Sequence, residues 1–69
     1  MTIYEDVLSV LDDGEWHTVR DIADKIGKHK DNVDARLRLA IKYRDVEMGP
    51  MISIMTKDGI RKARVWRRI

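Results

Sequence analysis

The apolar residues of this chain change their spacing once, near Gly49-Pro50, and that change constrains the fold more than any other feature. Before it, Ile3, Val7, Leu8, Val10 and Leu11 recur at intervals of three and four, as do Val19, Ile22, Ala23 and Ile26, and again Val33, Leu37, Ala40, Ile41 and Arg44. Such intervals put side chains on one face of a helix. After it, Met51 to Thr56 is β-branched and partly alternating, Lys57-Asp58-Gly59 supplies an Asp-Gly turn, and Ile60 to Ile69 alternates again. That is the pattern of a β-hairpin. The spacing therefore predicts an α+β chain with helices first and a hairpin last.

The punctuation sets the boundaries. Asp12-Asp13-Gly14 stops a first helix at about residues 2–12, because two acids oppose the helix dipole and Gly14 can take a left-handed cap. Glu15-Trp16-His17 reads as a short extended piece that pairs with another element. Thr18 is an N-cap for a second helix over about 18–26, closed by Gly27. A third helix follows over about 31–44, with His29 as a cap at its start, and the hairpin covers about 51–68. Gly49-Pro50 is taken as the separator between helix and hairpin. With no linker or repeat, residues 1–69 read as one domain.

Size and charge narrow the function. A 69-residue chain has one thin core, and without cysteines no disulfide can staple it. Two isolated histidines offer no metal cluster. No apolar run reaches the ~18 residues of a membrane span, and the acidic start lacks a signal-peptide pattern, so a cytoplasmic protein is expected. Residues 1–27 hold Arg20 and Lys25 against seven carboxylates, a net of −5. Residues 48–69 hold Lys57, Arg61, Lys62, Arg64, Arg67 and Arg68 against Asp58 alone, a net of +5. Such asymmetry suggests one surface for a polyanion and another that avoids it.

The stretch from Thr18 to Ile41 resembles the helix-turn-helix of winged-helix transcription regulators. Ala23 stands where that family has a small residue mid-way along the first helix, Gly27 where the chain turns, and Val33 and Leu37 where the recognition helix meets the core. Gly14 to Thr18 looks like the short strand that precedes many such motifs, and the Asp-Gly hairpin looks like the wing. One departure is Lys28, where an apolar turn residue is usual; it either loosens the turn or frees a cation. The resemblance implies a winged helix-turn-helix domain of three helices, a short strand and a C-terminal β-hairpin wing. It also implies a partner: double-stranded DNA, bound by a small regulator.

In that arrangement the exposed early turns of the third helix enter the major groove. Lys30, Asp31, Asn32, Ala35 and Arg38 stand there. Asn32 has the donor–acceptor pair that reads adenine, Arg38 the fork that fits guanine, and Ala35 a methyl for thymine. Lys28, Lys30 and Lys42 suit phosphates, as do Lys57, Arg61 and Lys62 of the wing. Asp31 and Asp34 complicate this surface: either they accept from cytosine amino groups, or the helix faces something other than DNA. One module of this size buries limited interface, so a homodimer is expected.

The remaining residues have plainer readings. Trp16 and Trp66 suit core and sheet packing rather than stacking on single-stranded bases. His17 reads as an exposed strand residue, and Arg44 as a side chain snorkelling from the helix end. Met48, Met51 and Met55 fill gaps or mark a partner surface. No catalytic constellation, cofactor box or small-molecule pocket is evident, so no enzyme is expected. The main alternative is a winged-helix protein-interaction module without direct DNA binding, since fold does not settle function. Binding of RNA or single strands through the hairpin and Trp66 is a third.

Overall fold

Two threonines open helices in the computed structural model of the chain, which describes residues 2–69. The Thr2 hydroxyl accepts from the Glu5 amide at 3.1 Å and starts α1 (Ile3–Leu11). The Thr18 hydroxyl accepts from the Asp21 amide at 3.1 Å and starts α2 (Val19–Ile26). Each satisfies a donor that the first helical turn leaves unpaired. Gly27 ends α2 with φ of 68°, a left-handed conformation that glycine adopts without a Cβ penalty. The imidazole of His29 then accepts from the Asp31 amide at 3.2 Å, capping α3 (Lys30–Lys42) as the sequence suggested.

The third helix stops earlier than its apolar stripe implied. Arg44, expected on the inward stripe, lies beyond the helix in a left-handed turn with φ of 60°, and its side chain is exposed. The turn leads the chain from α3 into the sheet, with the Asp45 amide donating to the Ala40 carbonyl at 2.8 Å. Tyr4 of α1 fastens the same turn: its hydroxyl donates to Oδ2 of Asp45 at 2.5 Å, and its ring meets Tyr43 edge-on, with centroids 6.4 Å apart. Burial, followed by the Asp45 carboxylate, pushes the Tyr4 phenol up to about 12.

Three antiparallel strands complete the fold: β1 (His17–Thr18), β2 (Val46–Thr56) and β3 (Gly59–Arg68). Their order in the sheet is β1-β3-β2, so the strand latest in the chain lies in the middle. The short extended piece does pair, His17 opposite Trp66 and Thr18 opposite Val65. The hairpin is longer than expected. Its first strand begins at Val46 rather than near residue 51 and runs through Gly49-Pro50. Met48 pairs with Trp66 and Met51 with Arg64, so Gly49 and Pro50 together face Val65 in a bulge. A bulge in an edge strand tolerates proline, which has no N–H to give the ladder.

Gly49 has a further reason to be glycine. A Cβ there would stand 2.6 Å from Cζ3 of Trp16 and 2.8 Å from Cγ2 of Val65. The Trp16 ring lies against the backbone at this point, on the sheet face away from the helices. The other face carries Val46 and Trp66 into the core, where they join Val7, Leu11, Ile22, Ala23, Val33, Leu37 and Ala40. Every one of the three helices supplies at least two of these side chains, which fixes α2 and α3 against α1 and the sheet.

Candidate functional site

Cations from separate elements meet around the start of α3. Arg20 of α2, Lys28 and His29 of the turn, and Lys30 of α3 line one open cleft together with Ala23 and Asp24. A second cleft is lined by Arg20 and Lys30 again, with Thr56, Lys57, Asp58 and Arg61 of the hairpin tip. The two shared side chains make the clefts continuous, so turn, helix and hairpin border one basic surface. A third cleft, between α3 and the sheet, contains Asp34, Arg38 and Ile41 with Val19, Met48, Arg64 and Trp66. Among the described residues, none before Val19 lines any of the three.

All ten candidate residues named from the sequence are exposed. At 100° per residue, Asp31, Ala35, Arg38 and Lys42 fall within about 60° of one another on α3, with Asn32 and Leu39 on one flank. Lys42 lies three turns from Lys30, roughly 18 Å along the axis, and borders none of the clefts. Arg61 pairs with Ile54 and Lys62 with Ser53, so these neighbours point to opposite faces of the hairpin. Arg61 joins Lys30 in the second cleft, whereas Lys62 shares its face with Arg64.

Arg20 was not among the residues picked out by sequence. It sits in the acidic third of the chain, and only folding brings it beside Lys30 and Arg61. Its exposed place in the first turn after the Thr18 cap was the available signal.

The acids among these cations are mostly engaged. Asp34 accepts from Nε of Arg38 at 2.9 Å, and Asp58 lies 3.7 Å from a terminal nitrogen of Arg61. Asp31, highly exposed, is 3.6 Å from the ring of His29. Among the described residues, Arg20, Lys28, Lys30, Lys42, Lys57, Lys62 and Arg64 have no carboxylate within 4.0 Å. These seven cations of the surface thus have no carboxylate partner among the described residues.

Two residues behind this surface differ from expectation. His17 is no exposed strand residue: its side chain is 10% accessible, held between Asp21 at 2.5 Å from Nδ1 and Asp13 at 2.9 Å from Nε2. Burial alone would lower its pKa, but the hydrogen bonds to Asp21 and Asp13 outweigh burial and the net direction is upward. The Glu15 amide and then the His17 ring hold the Asp13 carboxyl below its usual range. Trp16 does pack on the sheet, but at its outer face: it remains 40% accessible, with the Arg67 guanidinium 4.3 Å from its ring centroid. Arg67 in turn pairs with Glu47 on the neighbouring strand.

Among the described residues no cluster of three or more His, Cys, Asp or Glu side chains is arranged to hold a metal ion. None of the described helices is long and apolar enough to cross a membrane. No family model, curated protein or solved structure matches the chain.

Proposed function

We propose that the chain is a winged helix-turn-helix domain that binds double-stranded DNA, with α3 in the major groove and the β2–β3 hairpin as the wing on the backbone. The observation that carries this reading is the continuous border of Arg20, Lys28, Lys30, Lys57 and Arg61 at the start of α3, drawn from α2, the turn after it, α3 and the hairpin, and free of acidic α1. A duplex offers phosphates on both sides of the groove that a helix enters, so cations flanking the helix start meet them on insertion. Asn32 and Arg38 then face base edges, Ala35 allows close approach, and Lys42 reaches phosphate near the helix end. Asp34 is no obstacle in this reading, because it orients Arg38.

The deciding measurement is duplex binding by fluorescence anisotropy across a salt series. With about five phosphates neutralised, log K falls against log salt with a slope of about −4.5, and a fourfold rise in salt weakens binding roughly 500-fold. Substituting Lys30 and Arg61 by alanine together flattens that slope by about two. A protein that ignores duplex DNA at physiological salt would leave the protein-interaction alternative in its place.

A further inference from the structure

We propose that β2 is the seam of a symmetric homodimer, in which two copies pair this strand antiparallel about an axis through Ser53 and merge their sheets into one of six strands. The inference rests on the strand itself and not on what the cations bind.

In the order β1-β3-β2, β2 is an edge with one side of its backbone unpaired over eleven residues. Proteins guard such edges with charge, lysine above all, or with brevity. The edge of β3 that continues past two-residue β1 is guarded in this way, by Arg61, Lys62 and Arg64. The edge of β2 is not: Met48 to Thr56 contains no charged residue, and Pro50 protects only the bulged end. Met51-Ile52-Ser53-Ile54-Met55 also lacks the alternation of a strand with one wet face, so an added strand finds apolar neighbours on both faces. Met48 is 51% accessible, Met51 48%, Ile52 39% and Met55 79%.

The sequence of the strand favours a second copy as the occupant. With Ser53 on the axis, Ile52 meets Ile54 of the other copy on one face, and Met51 meets Met55 on the opposite face. The two serines lie across from each other, a pairing that hydrogen-bonds in sheets. A neutral strand meets its own copy without like-charge repulsion, and each Lys57 falls past Pro50 of the other chain, where the bulge has ended the regular ladder. The exposed surface of Met48, Met51, Ile52 and Met55 amounts to about 400 Å² per copy, so these side chains can bury at most half of the ~800 Å² that each partner gives to a standard interface. Main-chain pairing adds to this, and the sum fits a weak, concentration-dependent dimer.

Sedimentation equilibrium of the full chain between about 1 µM and 1 mM tests this without any nucleic acid. The expected result is a monomer–dimer equilibrium with dissociation in the micromolar range, weakened at least tenfold by Met55→Lys while the circular dichroism of the dilute protein stays native. Ile52→Lys serves as a second variant should Met55→Lys fold poorly. Because the chain has no cysteine, Ser53→Cys should oxidise to a covalent dimer, and Ser9→Cys on exposed α1 should do so far less. A wild-type chain that stays monomeric throughout overturns the proposal, as does a dimer indifferent to both lysine variants or a Ser53→Cys protein that does not cross-link.

Discussion

Asp34 holds Arg38 through its Nε, one helical turn away on α3, at 2.9 Å. The contact uses the one guanidinium nitrogen that does not belong to the terminal fork, so both terminal groups stay free while the side chain loses rotational freedom. An arginine fixed in this way is pre-organised for bidentate hydrogen bonding. Under the proposed function, Arg38→Ala should relax the preference for guanine at one position by about 1–3 kcal/mol. Asp34→Ala should relax the same preference by a smaller factor while raising affinity for random duplex, since it also removes a negative charge. Competition binding with single-base operator variants reads both, and an Asp34→Ala protein with unchanged preference would show that Asp34 does not position Arg38.

Gly49→Ala should drive Trp16 off the sheet, because its Cβ would stand 2.6 Å from the ring. The expected destabilisation is about 1–3 kcal/mol, in the range of overpacked sites, with a red shift of tryptophan emission. Placed in a Trp16→Ala background the same change should do less, the remaining cost coming from Cγ2 of Val65 at 2.8 Å, and the difference between the two backgrounds measures the Trp16 contact.

His17 makes stability depend on pH with a definite sign. Its folded-state pKa lies above the ordinary value of 6.5, so its contribution is complete below that pH and is lost as pH rises through the raised value. Asp13, whose pKa is lowered from 3.8, works in the other sense, and its contribution is lost as pH falls through that lowered value. Thermal melts should therefore be highest in mildly acidic buffer and decline toward pH 8. His17→Ala should cost about 1–3 kcal/mol near pH 6 and remove most of the alkaline decline. A wild-type melting temperature that is flat between pH 6 and 8 would contradict the clamp.

Leu37 is fully buried at the meeting of α3 with the rest of the core. Leu37→Ala should cost about 2–5 kcal/mol, a large share of the stability of a chain this small. Urea titration should show a lower midpoint or, at the upper end, an unfolded chain at room temperature.

The helices were legible because their signals are local. Thr18, Gly27 and His29 cap their helices within one turn of sequence, and the expected boundaries fall within two residues of those observed. The beginning of β2 was not legible for the opposite reason. Gly49-Pro50 looks like a break until Val65 and Trp16, far along the chain in both directions, accommodate it as a bulge. His17 lies between these cases. Its aspartates stand four residues before and four after, a symmetric spacing visible in the sequence, but only the fold of the loop after α1 turns both carboxylates onto one ring. Within the site, the exposed face of α3 follows from helical period alone. The conjunction of Arg20 with Lys30 and Arg61 depends on where the hairpin tip comes to rest, which no local pattern encodes.

The sheet order also bears on synthesis. A nascent chain can close its helices as they emerge, but β1 and β2 have nothing to join them until β3 arrives between them, bringing Val65 and Trp66. Up to that moment the core lacks its largest side chain and two strands lie unmatched. A chain cut short before residue 66 would keep two strands unmatched and its core without Trp66, a state open to proteolysis.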